Sequence, residues 1–124
     1  MTPASTPTFQ DIQSILNQLI GSTTRQRLQE VHNCPDFGWD TVEQLKNVVI
    51  DPYPGVGETY PFIDMDLIKQ GRGAETNLVV ALRSPTGVDS MGRMPYSPPQ
   101  EGRRYATETE IQTIIAWLNA GLPE

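Results

Sequence analysis

The 124-residue sequence has one cysteine, Cys34, and one histidine, His32. A single thiol excludes an internal disulfide and any zinc site built on several cysteines. Basic residues are also scarce: nine Lys and Arg face fifteen Asp and Glu, for a net charge of -6. Nucleic-acid binding needs a cationic surplus to neutralise phosphates, so that class of partner is excluded. No apolar run approaches the roughly 20 residues that span a bilayer. No basic-plus-apolar leader opens the chain either, only the polar lead-in "MTPASTPT". As written, the chain reads as cytoplasmic; one whose leader had been removed would read the same and be periplasmic. No segment alternates apolar and polar residues as a half-buried strand does, and no internal repeat is present. "GVGE" and "GRG" are too short for phosphate loops and follow no strand.

What is present is helical periodicity broken by loops, as 11 Pro and 10 Gly imply. Residues 1–8 read as a flexible lead-in and residues 9–124 as a single domain. Thr8 and Asp11 form a capping-box-like start to a first helix, in which Phe9, Ile12, Ile15, Leu16, Leu19 and Ile20 make one apolar stripe. Gln13 falls on the opposite, polar face. "TTRQRLQEVHN" predicts a second, weaker helix with Leu28 and Val31 inward. "DTVEQLKNVVI" predicts a third, capped by Asp40 and Glu43, with Val42, Leu45, Val48 and Val49 in the core. "DPYPGVGETYPF" must be loop. "DMDLIKQGRG" reads as two helical turns closed by Gly71, and "AETNLVVALRSP" as a helix that ends before Pro85. A second long loop, "TGVDSMGRMPYSPPQEGRRYA", leads to the last helix. There Thr107 and Glu110 make a capping box, Ile111, Ile114, Ile115 and Leu118 form the stripe, and Gly121 with Pro123 ends it. The fold class expected is all-α, about five helices with two long loops.

The order of "FQDIQSIL" (Phe9 to Leu16), "IKQGRGAETNLVVAL" (Ile68 to Leu82), "GRMP" (Gly92 to Pro95) and "TETEIQTIIAWLNAG" (Thr107 to Gly121) resembles class I cytochrome c domains of the bacterial type. The resemblance covers about half of the chain. It implies a cytochrome c-like helical fold and a CxxCH haem-attachment motif directly after the first helix. At those positions stand Ile20, Thr23 and Thr24. Two thioethers need two thiols, and one cysteine cannot supply them, so covalent haem is excluded. Met94 stands where the family's other axial ligand would be. The resemblance thus implies a cytochrome c-like fold that has given up its haem.

A vacated haem site leaves a void, which a folded chain fills or keeps as a pocket. Phe37, Trp39, Tyr53, Tyr60 and Phe62 gather in the middle of the sequence, with Tyr96 across in the second loop, and are the aromatics available. His32, Cys34, Trp39, Tyr60, Phe62, Met94 and Tyr96 are the candidate cleft residues. Three readings stand side by side. The first is a haem-free protein that binds a partner protein or a small apolar ligand in the former haem cleft. The second is an electron carrier that holds haem non-covalently through His32 and Met94. The third is an enzyme that reuses the cleft, lined by His32, Cys34, Trp39 and Tyr96. A Cys–His pair two residues apart can form a nucleophile and base, but no oxyanion turn accompanies it. Asp64 and Asp66 read as helix-start residues, and the scattered arginines as solvated surface.

Overall fold

The computed structural model describes residues 6–21, 24–32, 34–51, 59–88, 94 and 105–124, without the side chains of Val31 and His32. The elements are α1 (Phe9–Ile20), α2 (Arg25–His32), α3 (Val42–Lys46), β1 (Val49–Ile50), β2 (Tyr60–Pro61), α4 (Met65–Lys69), α5 (Asn77–Arg83) and α6 (Glu108–Asn119), with a 3-10 turn at Gly73–Glu75. The chain is mostly helical, as its periodicity implies.

The two longest helices start in the same way. Thr8 N donates to Asp11 Oδ2 (2.9 Å) while Asp11 N donates to Thr8 Oγ1 (3.3 Å). Thr107 N donates to Glu110 Oε1 (2.9 Å) and Glu110 N to Thr107 Oγ1 (3.2 Å). Each box satisfies backbone donors that the first helical turn leaves orphaned.

Helix α6 is the hub, touching α1, α4, α5 and the 3-10 turn. It buries Ile111, Ile114, Trp117 and Leu118, and α1 buries Phe9, Ile12, Leu16 and Leu19. Each such side chain is worth roughly 1.5–3 kcal/mol in transfer free energy. Phe9 stacks on Trp117 with ring centroids 5.8 Å apart. Trp117 is fully buried, whereas Ile115, expected in the stripe, is half-buried. Trp117 follows Ile114 by three residues and so shares its face. Its indole Nε1 donates to Pro123 O (2.7 Å), which folds the residues after α6 back under the ring.

At the 3-10 turn the backbone itself meets α6. Gly73 N donates to Asn119 Oδ1 (2.8 Å), and a Cβ on Gly73 would lie 2.7 Å from Leu118 Cβ. Helix α4 ends in a Schellman pair: Gly71 N donates to Ile68 O (3.1 Å) and Arg72 N to Leu67 O (2.9 Å). Gly71 has φ +70°, the conformation this cap requires.

Several expectations need correction. The third helix is short, and its cap is Thr41, whose Oγ1 accepts from Gln44 N (3.0 Å), not Asp40. The residues after it form an antiparallel ladder, Val49↔Pro61 and Ile50↔Tyr60, inside a chain expected to have no strand. Val48 and Ile50 face the core while Val49 is 41% exposed. Three consecutive apolar residues hid that alternation. Gln13, expected on a free polar face, is half-buried and bonded to the 39–40 backbone.

Leu16→Ala should lower stability by about 2–5 kcal/mol in urea denaturation, whereas Gln10→Ala on the exposed face should change it by less than about 0.5 kcal/mol. Gly73→Ala should cost about 1–3 kcal/mol, because α6 must yield to the added methyl.

Candidate functional site

The segment from Cys34 to Asp40 carries two aromatic rings into the core on a backbone with little secondary structure. Helix α2 leads into it through Cys34 N donating to Gln29 O (3.1 Å), and Phe37 N then donates to Cys34 O (3.1 Å). This turn sends Cys34 and Phe37 inward and leaves Pro35 and Asp36 exposed. Phe37 meets Trp39 edge-on at 6.0 Å and Phe62 edge-on at 5.3 Å. Edge-to-face geometry suits ring quadrupoles and adds about 0.5–1.5 kcal/mol per pair beyond area burial.

Side chains from three helices hold this segment's polar groups. From α1, Gln13 Nε2 donates to Trp39 O (2.9 Å) and Asp40 O (3.2 Å), and Asn17 Oδ1 accepts from Trp39 Nε1 (2.8 Å). From α2, Gln29 Nε2 donates to Phe37 O (3.4 Å), and the Arg25 guanidinium forms a two-pronged pair with the Asp40 carboxylate. From α3, Gln44 Nε2 donates to Asp36 O (3.1 Å) while its Oε1 accepts from Asp40 N (2.7 Å). Gln44 lies across Gly38, where a Cβ would come within 2.8 Å of Nε2.

Phe62 reaches the cluster from the other side. Its N–H donates to Val48 O (3.0 Å) and its carbonyl accepts from Leu78 N (2.9 Å), at the start of α5. Met94 N donates to Ala81 O (2.7 Å) on the same helix. Three residues of helix span about 4.5 Å, so Phe62 and Met94 hang from neighbouring turns of α5.

Of the seven expected cleft residues, Cys34, Trp39 and Phe62 are buried in one core cluster, and Tyr60 and Met94 are half-buried and packed against it. Tyr96 lies outside the described residues, as does the side chain of His32, which ends α2. Cys34 is 7% exposed within an apolar core; reactive thiols occupy partly exposed, electropositive surroundings, and Cys34 has the setting of a small packed hydrophobe. Ile20 packs against the core and Thr23 lies outside the described residues. Thr24 Oγ1 accepts from Arg27 N (3.1 Å), serving the start of α2. Among the described residues no group of three or more His, Cys, Asp or Glu is placed to hold a metal ion.

Phe37 links the other two rings, although sequence reasoning noted it only among the central aromatics. The amides that hold the segment were missed. Their one signal is that Gln13 and Asn17 are four residues apart, hence on one face of α1. Among the described residues, electrostatic shifts lie away from this cluster, at the surface pair Arg72 and Glu75. There the hydrogen bond from Arg72 holds the Glu75 carboxyl below its usual range and raises Arg72 in turn.

Comparison with protein-family models, curated proteins and solved structures gives no match to this chain.

Phe62→Ala removes the ring that Phe37 packs against and should cost about 3–5 kcal/mol in urea denaturation. Val49→Ala, on the outward face of β1, should cost less than about 1 kcal/mol by the same measurement.

Proposed function

We propose that the chain is a haem-free protein of cytochrome c-like fold that binds a partner protein or a small apolar ligand in the cleft a haem would occupy. The observation that carries this reading is the convergence of Phe37, Trp39 and Phe62, with Cys34 in the same core cluster and Tyr60 and Met94 packed against it at half-burial. Buried rings supply apolar contact area, and half-buried side chains offer a route by which another apolar body makes contact. Contact between α1 and α6 agrees with the layout of the resembled family. Thr24, at the position of the family's haem histidine, serves a helix start and offers no imidazole.

The protein should purify colourless and free of iron, because Ile20, Thr23 and Thr24 cannot attach haem. A Soret band with stoichiometric iron would overturn this and point to His32 and Met94 as ligands. Titration with the neutral aromatic probe N-phenyl-1-naphthylamine should enhance the probe's fluorescence and quench that of Trp39. A flat titration in a folded sample would remove the small-ligand arm of the reading.

A further inference from the structure

The geometry points to Trp39 as a displaceable plug, held in the cleft by Asn17 and Gln13, which a flat, uncharged aromatic ligand of two or three fused or linked rings replaces. This inference rests on the cleft reading above. It starts from how unevenly the core is anchored. Ile12, Leu16, Ile114 and Trp117 sit within 12-residue helices, where backbone hydrogen bonds fix them. Trp39 sits on a segment fixed largely by side chains: Gln13 on its carbonyl, Asn17 on its indole, and Gln44 and Arg25 on Asp40 next to it. These bonds are part-buried or exposed, so water competes for each of them as the segment opens. A bond of that kind contributes little net free energy, and segments held in this way belong to the low-stability end of a fold.

The rings beneath are better fixed. Phe62 is bonded through its backbone to both Val48 and Leu78, so it stays when Trp39 leaves. Outward movement of Trp39 uncovers Phe37, which rests on Phe62 at 5.3 Å. The space released is that of one indole, roughly 150–250 Å² of apolar surface. That size and shape select the ligand class. Gly38, immediately before Trp39, lies under the Gln44 side chain, whose bonds to Asp36 O and Asp40 N break as the segment opens.

The test compares wild type with Asn17→Ala and Gln13→Ala, using N-phenyl-1-naphthylamine as the probe. Each variant loosens Trp39 and leaves Phe37 and Phe62 in place, so each should bind the probe about three- to tenfold more tightly, the worth of one modest hydrogen bond. Asn47→Ala, at the exposed end of α3, should match wild type. Unfolding transitions by circular dichroism confirm that each variant is folded. In wild type, amides 36–40 should exchange with deuterium faster than amides 12–19, a readout that needs no variant. Binding by wild type with no gain in either variant would overturn the plug and leave the cleft reading standing. Absence of binding in all the proteins would overturn the plug together with the small-ligand arm of the cleft reading. Exchange at 36–40 as slow as in α1 would overturn the plug alone.

Discussion

The segment from Asp36 to Asp40 sets the problem that the surrounding structure solves. It must bring two aromatic rings into an apolar core, yet its backbone cannot enter without partners for its N–H and C=O groups. A helix would satisfy them but would turn Phe37 and Trp39, two residues apart, to different faces. The solution is borrowed amides. Gln13 and Asn17 from α1, Gln29 from α2 and Gln44 from α3 each reach a polar group of this segment. The positions of these helices are thereby tied to the aromatic cluster as well as to one another.

The rest of the framework depends on α6. Its buried face meets α1 through Phe9 and Trp117, and its last turn receives the Gly73 backbone through Asn119. The ion pairs do less. Arg25–Asp40, Arg72–Glu75 and Arg83–Glu108 all have side chains about half exposed, where screening leaves a pair worth about 0–1 kcal/mol. Cohesion comes from apolar contact, and orientation from amide bonds.

What was legible in the sequence follows from which signals are local. Both capping boxes, the stripes of α1 and α6, the turn of α4 and the end of α5 are fixed by spacing along one segment, and the structure has them. The short ladder between β1 and β2 was not legible, because Val48, Val49 and Ile50 are all apolar and only their partners reveal which one faces out. The cap of α3 was misplaced by one residue, since Asp40 and Thr41 are both competent and Arg25 takes the carboxylate. At the candidate site the aromatics were visible as a concentration of residue type. The pairing of Phe37 with Phe62, and the parts played by Gln13 and Asn17, arise from contacts more than twenty residues apart, which no local pattern encodes.

Gly71 and Gly73 stand two residues apart and are constrained by unlike physics. At position 71 the constraint is handedness: φ is +70°, and nothing stands within 4 Å of where a side chain would begin. Asparagine, which tolerates the left-handed region, is an acceptable replacement there. At position 73 the constraint is a wall, the Cβ of Leu118, and no chirality or polarity of side chain relieves it. Over sequence drift the first glycine is therefore free to exchange with asparagine. The second faces an atom that every residue except glycine carries at position 118, so ordinary exchange there makes no room and glycine should persist at 73.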